Sequence, residues 1–499
     1  MEMSWLLWPL LIVPALGALV CLLLRSPKTV LAGVCAVVAA EAVATGAAVW
    51  AVFAHGPVEA CAGWFYLDAL SAYHLAILLA VFGLSSVYAW FYFGHEERAG
   101  HFSLRTARRF GALWLGSLGA MALVLISNNL GVVWVGVEAT TLLTAFLICL
   151  HRSPGSLEAM WKYLIVCSVG VAFAFIGTLL IGAAAGQAHL PAGDALLWTR
   201  LRDVAPDLNP ALLKMAFIFM LVGYGTKAGL APMHNWLPDA HSQAPAPVSA
   251  VFSGFLLNSA LYCILRCLPL VEAATGNIGW ATGLLTLVGL VSIVVAAAFI
   301  LFQRDAKRLL AYSSVEHMGI IALGVGLGGV GVFAAMFHVL NHSLCKPLAF
   351  FSAGRLGQRF GTHDLGVLAG AARSAPLWGG GLFVSLLALI GVAPFAIFMS
   401  EFLILKAAVD KGDFLVMAIF LAGLSIVFVA ALRYAIAAAW GKSSEQPAPA
   451  QPLPIEKSTL IEKALVWAPL GLLLAVGLWM PDFLRETLTQ ASGIITGGP

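Results

Sequence analysis

The sequence runs to 499 residues, 61% of them hydrophobic and only 10% charged, with a formal net charge of +3 and a mean hydropathy of +0.94. Soluble domains carry about 25% charged residues, so this composition excludes a soluble fold and specifies a polytopic membrane protein. Strand-like alternation over about ten residues is absent, which excludes a transmembrane barrel and leaves the all-α class.

A hydrocarbon core about 30 Å thick needs roughly 20 apolar residues per helix. Apolar runs between charged or Pro/Gly-rich breaks predict about 14 such spans. The first six fall near 4–24, 29–53, 67–93, 109–127, 130–150 and 160–186. The run from Trp5 to Leu24 lacks a basic n-region and exceeds a signal h-region in length, so it is expected to be retained. Gln187 to Pro210 is polar enough to lie outside the bilayer. The remaining spans fall near 211–231, 244–268, 278–302, 308–328, 331–354, 377–409 (long, and broken by Pro394), 414–440 and 463–480. The stretch 442–463, with S-S-E-Q-P-A-P-A-Q-P-L-P inside it, reads as an extended cytoplasmic linker, more a tether than a docking strip.

Alternating sides from an outside N-terminus puts sixteen basic residues inside, among them Arg105, Arg108, Arg109, Arg152, Arg304, Lys307 and Arg308, against six outside: Arg200, Arg202, Lys214, Arg266, Lys411 and Arg485. That bias predicts both termini on the periplasmic side of a bacterial inner membrane. The eight cysteines lie mostly inside apolar runs with no C-x-x-C, so neither an iron–sulfur nor a zinc framework is readable. Cys263 and Cys267, four apart, read as small-residue packing rather than ligation.

One internal echo stands out. Gly229-Leu230-Ala231-Pro232 recurs as Gly391-Val392-Ala393-Pro394, and an acid follows each proline by seven residues, Asp239 and Glu401. Proline inside a helix frees the carbonyl four residues earlier. Matching breaks in two halves of a membrane protein mark the transport site of inverted-repeat transporters.

Charged side chains in mid-span are the sharpest signal, because each costs roughly 2.5 to 3.5 kcal/mol at the bilayer centre. Glu138 sits deep in the fifth span among threonines, Lys162 enters the sixth, and Lys227 precedes the proline break of the seventh. His338, His342 and Lys346 recur at i, i+4 and i+8 in the eleventh, within about 80° on one helix face. Glu401 follows Pro394 in the twelfth. Opposite charges about 4 Å apart at an effective dielectric of 20 couple by about 4 kcal/mol. A lysine held by Glu138 therefore keeps its proton, and opening the pair lets desolvation favour release. Histidines and wetted helix breaks then pass the proton sideways. Competing readings stand beside this one. Lys162 can pair with Glu158 one turn earlier as an entrance salt bridge, Glu401 and Lys406 can snorkel from a helix end, and His338 can be a satisfied interior histidine.

Other constellations fail. Gly324-Val325-Gly326-Leu327-Gly328-Gly329 matches G-x-G-x-x-G but follows no strand and joins two spans. No Walker loop, H-E-x-x-H or G-x-S-x-G occurs, and the short basic loops have no nucleic-acid fold around them. Neither a catalytic centre nor a metal site is expected in this chain.

The segment K-A-G-L-A-P-M-H-N-W-L-P-D-A-H-S-Q-A-P-A-P-V-S-A (227–250) resembles the seventh-to-eighth helix signature of the antiporter-like subunits of respiratory complex I, cation/proton antiporters and energy-converting hydrogenases. Segments 134–142, 156–165, 304–321 and 337–350 extend the likeness over most of the chain. The Trp161-Lys162 pair and Glu316-His317 look most like hydrogenase 4 component F. The resemblance implies one transmembrane domain over 1–499, about 14 helices with broken helices 7 and 12, and two inverted five-helix repeats at 109–268 and 278–440. It implies a Glu138–Lys227 ion pair modulated by Lys162, a relay through His338, His342 and Lys346, and Glu401 as terminal acid. No cofactor is expected in this chain. Iron–sulfur clusters, a nickel–iron site or quinone would sit on partner subunits, alongside other antiporter-like subunits, a peripheral hydrogenase or dehydrogenase arm, and membrane lipid. Two departures qualify the match. Asn258 stands where the related complex I subunit carries a lysine, and an amide holds water without carrying charge, so the bridge between halves is interrupted there or relies on water and His317. The chain also ends soon after the fourteenth helix without the lateral helix of the distal complex I subunit, which suggests an internal position. The expected activity is proton translocation coupled to redox chemistry elsewhere in a hydrogenase 4 or formate hydrogenlyase-like complex. The alternatives are a sodium/proton antiporter subunit, a complex I subunit, and a structural subunit dead at Asn258.

Overall fold

The computed structural model describes residues 3–442 and 458–497, and its chain is almost entirely helical. Sixteen helices precede the second break: α1 (Pro9–Leu23), α2 (Pro27–His55), α3 (Ala69–Arg98), α4 (Leu104–Ile126), α5 (Leu130–Ile148), α6 (Pro154–Gln187), α7 (Trp198–Asp203), α8 (Pro210–Ala228), α9 (Leu237–Gln243), α10 (Ala246–Val251), α11 (Leu257–Ala274), α12 (Trp280–Ile300), α13 (Ala306–Leu327), α14 (Val330–Phe360), α15 (Ala371–Ser374) and α16 (Pro376–Leu389). After it come α17 (Ala396–Lys411), α18 (Phe414–Trp440), α19 (Leu460–Leu478) and α20 (Asp482–Ile495). A small antiparallel hairpin, β1 (Val58–Ala60) with β2 (Phe65–Leu67), closes the loop after α2.

The spans start where the sequence supplies a cap. Ser26, Asp68, Ser103, Asn129, Ser153, Asn209, Asp305, Asp413 and Thr459 each accept a backbone N–H of the first turn, satisfying donors that a helix start otherwise leaves unpaired. Thr459 and Glu462 form a full capping box, so α19 begins inside the stretch expected to be linker. The rest of that linker, 443–457, lies outside the described residues.

Among the described residues, twelve helices are long and apolar enough to cross a membrane, counting α10 and α11 as one continuous Ala246–Ala274 segment. Beside them run α14, which is 31 residues long but carries His338, His342, Lys346 and two arginines, and the pair α16 and α17 around the second break. Burial runs opposite to hydropathy. Phe414–Trp440, the most apolar span at 2.8, is only 33% buried, whereas Ala306–Leu327, at 1.3, is 100% buried. The least apolar helices form the centre and the greasiest face lipid, as a bilayer solvent demands.

Small residues let the central helices close up. A Cβ on Gly223 in α8 would meet the Gly170 carbonyl of α6 at 2.5 Å, and one on Gly289 in α12 would meet the Gly319 carbonyl of α13 at 2.7 Å. Backbone approach of this kind is what joins helices in lipid, where apolar burial alone gives no drive.

Both breaks use the same hydrogen bonds. Gly229 N–H donates to the Thr226 carbonyl at 3.2 Å and Leu230 N–H to Gly225 at 2.9 Å; Gly391 donates to Ala388 at 3.2 Å and Val392 to Leu387 at 3.1 Å. Gly229 and Gly391 have φ of +75° and +69°, and both following Ala-Pro bonds, at Pro232 and Pro394, are cis. The left-handed glycine ends the helix and the proline three residues later bars its resumption. The freed Ala231 N–H is met by Ser292 Oγ at 2.9 Å.

Candidate proton-path site

The first cluster lies between α5, α6 and α8. The side chain of Lys227 is fully buried. Its Nζ donates to Thr141 Oγ1 at 2.8 Å and, in a shorter contact, to the Tyr163 hydroxyl. It also stands 4.7 Å from the centre of the Tyr163 ring, a favourable seat for a cation. Thr144 Oγ1 is 2.6 Å from the Tyr163 oxygen. Glu138 accepts from Ser168 Oγ at 2.9 Å, and its other oxygen is buried without a partner. The expected direct Glu138–Lys227 pair is therefore not formed. Thr141, three residues after Glu138, and Tyr163, beside Lys162, occupy the ammonium group instead.

Lys162 sits apart from Lys227. It pairs closely with Asp239 Oδ2 on α9, and Glu158 stands at 4.0 Å. The entrance salt bridge to Glu158 is thus the looser of its two contacts. Asp239 gives its second oxygen to Arg308 of α13 at 2.5 Å. One carboxylate beyond the proline break thereby ties α6 to α13. Lys307 of the same turn points the other way and donates to the carbonyls of Ser242, at 3.0 Å, and Ala244, capping the C-terminal end of the half-helix α9 with positive charge.

The central cluster lies on α13, α14 and α17. His317 Nδ1 and His338 Nε2 are 2.8 Å apart, and His338 Nδ1 is 2.9 Å from Ser400 Oγ. The His342 ring lies 5.2 Å from that of His317, and neither of its nitrogens has a partner. Lys346 donates to the Leu310 carbonyl at 2.9 Å. The i, i+4, i+8 stripe is therefore wholly interior, and within it His338 has both ring nitrogens hydrogen-bonded, as the reading of a satisfied interior histidine also expects. Glu401 is 7% exposed and lines a cavity of about 460 Å³ beside Gly391, Phe398 and Phe402. Lys406 instead pairs with Asp410 at 2.5 Å on the exposed side of α17, so the snorkelling reading fits Lys406 and not Glu401.

Two groups missed in the sequence complete the line. Glu316 is buried with one oxygen unpartnered, and its charge interacts with that of Lys346. His241 is fully buried, stacked on Phe350 with ring centres 5.2 Å apart, and both its nitrogens lack partners. It lies within electrostatic reach of Lys346 and His342. Asn258 donates to Gly254 at 3.1 Å and Ser343 at 3.0 Å, leaving its Oδ1 buried and unused. The signal for His241 was present in the seventh-helix segment, which carries two histidines before its terminal prolines.

Residues 127–426 match the family model described as NADH:quinone oxidoreductase/Mrp antiporter, TM. The chain is 40% identical over 353 residues to a hydrogenase-4 component F homolog of Methylacidiphilum infernorum, covering 70% of this chain and 74% of that protein. It is 30% identical to hydrogenase-4 component B of Escherichia coli, over 67% of this chain and 49% of that one. In fold it is similar to a chain of the archaeal membrane-bound sulfane sulfur reductase, with a TM-score of 0.85 at 23% identity, covering 99% of this chain and 98% of that one. A chain of the Mrp complex from Dietzia gives 0.84 at 22% identity, with the same coverage. The match spans both breaks and every buried lysine and histidine described above, and with it the chain belongs to the NADH:quinone oxidoreductase/Mrp antiporter family of membrane subunits.

Proposed function

We propose that this chain is a proton-translocating, antiporter-like subunit of a membrane-bound redox complex of the hydrogenase 4 or formate hydrogenlyase-like kind. The observation that carries the reading is the file of buried protonatable side chains. It starts at Lys227, preceded by the half-buried Glu138, continues through His241, His342, His317 and His338, and ends at Glu401. Intramembrane ionisable groups are costly, and groups of this density mark ion paths. Lys227, held by two neutral hydroxyls rather than by Glu138, is the switch: approach of Glu138 holds the proton and its retreat favours release. Asp239, shared between Lys162 and Arg308, links movement at the first break to the second half.

The matching hydrogen bonds at the two breaks support two inverted repeats, 109–268 and 278–440, within a single domain of 14 spans. Positive-inside counting supports a bacterial inner membrane with both termini periplasmic. The names of the hydrogenase-4 relatives support partner subunits that bear iron–sulfur clusters and a nickel–iron site, a peripheral hydrogenase arm, and neighbouring antiporter-like subunits. The likeness to an Mrp complex chain favours a second reading, a sodium/proton antiporter subunit without a redox partner.

The test is proton uptake by the purified complex in vesicles. Lys227→Ala and Glu138→Gln should each lower hydrogenase-driven uptake at least tenfold while electron transfer by the peripheral arm persists. Unchanged uptake in both variants sinks the proton path. Sodium-dependent flux from a preparation with neither hydrogen nor quinone activity would decide for the antiporter.

A further inference from the structure

We infer that His317, His338 and Glu401 form a binding site for a divalent transition cation of the zinc class, which competes with the proton for the same lone pairs. One ligating atom from each residue lies within 4.8 Å of the others, and all three side chains are buried. Two imidazoles and one carboxylate form the donor set that zinc takes in open, three-protein-ligand sites. Calcium and magnesium call for oxygen-rich shells and are poorly served by two nitrogens.

The geometry is close to what such an ion needs. Metal–ligand bonds of about 2.0 to 2.1 Å put tetrahedral ligands about 3.4 Å apart; the cluster lies within 4.8 Å, and the two imidazole nitrogens, now 2.8 Å apart, would open slightly to admit the ion. The three residues come from α13, α14 and α17, whose backbones are packed together at the molecule's centre. His338 is already oriented: its Nδ1 meets Ser400 Oγ, the outer-sphere arrangement that fixes metal-bound histidines, and its Nε2 faces His317 Nδ1 at 2.8 Å, the bond an incoming ion would replace. His317 has an unpartnered Nε2, so its proton can shift there and free Nδ1. His342, beside His317 and without partners, or water takes the fourth position. Glu401 and Glu316 supply the negative charge that offsets the ion against Lys346.

A metal ion needs neutral imidazoles and an ionised carboxylate. It therefore occupies the atoms a moving proton needs, and the hydrated route of a proton path is also the cation's way in. Sequence alone hid the site because its ligands lie at 317, 338 and 401, with no metal-binding spacing among them.

The site and its effect are tested separately, since only the effect rests on the proposed proton path. Purified complex is incubated with zinc, desalted and assayed for retained metal, and cobalt is substituted to read tetrahedral coordination from its visible absorption. X-ray absorption at the zinc edge of the wild-type complex should report two imidazoles and a carboxylate, which needs no variant to fold. His338→Asn and Glu401→Gln should abolish this bound equivalent, and Ser400→Ala should weaken it about ten- to a hundredfold. No retained zinc in the wild type, or retention unaltered in both ligand variants that assemble normally, overturns the site. Zinc bound at this site without slowing proton uptake overturns competition with the proton, while the site stands.

Discussion

Lys227 and Tyr163 meet ammonium to phenol in the middle of the bundle, and the same ring lies under the cation at 4.7 Å. A hydroxyl rather than a carboxylate is thus the immediate neighbour of the switch lysine. Removing one hydrogen bond to a charged group costs about 1.5 to 3 kcal/mol. Tyr163→Phe keeps the ring and removes only that bond, so proton uptake should fall roughly ten- to a hundredfold, with the complex still assembled. Thr141→Val removes the other partner and should act in the same direction. Wild-type uptake in both variants would mean that Lys227 does not depend on these hydroxyls.

His241 supplies the titratable group that Asn258 lacks. Its ring, on the proline-broken α9, is stacked on Phe350 of α14, 5.2 Å between centres, and so joins those two helices. His241→Phe preserves the stacked aromatic and removes both nitrogens. Steady proton uptake should drop at least tenfold, whereas Asn258→Ala, which removes only a water-holding amide, should cost severalfold or less. The opposite order, measured in the same vesicles, would return the bridge to Asn258.

Helix positions, both breaks and the mid-span charges were readable because each has a local cause: a cap, a Gly-x-Ala-Pro segment, or a charge in a greasy run. What escaped was pairing across helices. Thr141, Tyr163, Ser168 and Ser400 are ordinary hydroxyls in sequence, and only packing makes them partners of Lys227, Glu138 and His338. The Lys162–Asp239–Arg308 triad needs three helices to converge, although Asp239 had been singled out by its distance from Pro232. Glu41 was legible and overlooked. It stands at the middle of α2, fully buried, and neither of its carboxyl oxygens has a partner.

Arg266 and Asp68 make two parallel bonds of 2.6 Å, and Arg266 also takes Ser71 at 2.5 Å and Tyr262 at 2.8 Å. Its own carbonyl accepts from Trp198 Nε1 at 2.7 Å, so one arginine ties α3, α11 and the short helix α7 at one end of the bundle. Breaking a buried pair by deleting one partner costs about 3 to 5 kcal/mol, because the other charge is left unpaired. Asp68→Ala should therefore lower the melting temperature of the detergent-solubilised complex clearly more than Asp68→Ala combined with Arg266→Met, which removes both charges. Equal losses would mean that the pair's worth lies in packing alone.

His151, in the loop between α5 and α6, stands 2.9 Å from the Glu96 carboxylate near the end of α3. That carboxylate holds the imidazole proton and raises His151 above its ordinary value, against the opposing effect of partial burial. The sign follows from linkage: a group that binds its proton more tightly when folded stabilises the fold fully below its unfolded value, about 6.5, and loses that contribution as pH rises through the raised folded value. His151→Asn should therefore melt earlier than wild type at pH 5.5, and the gap should close between neutral and mildly alkaline pH. The imidazole is 41% exposed, so screening keeps the gap small. A gap that stays constant from pH 5.5 to pH 9 would show that His151 acts through shape rather than charge, and the anchoring of this loop to α3 would then not be pH-dependent.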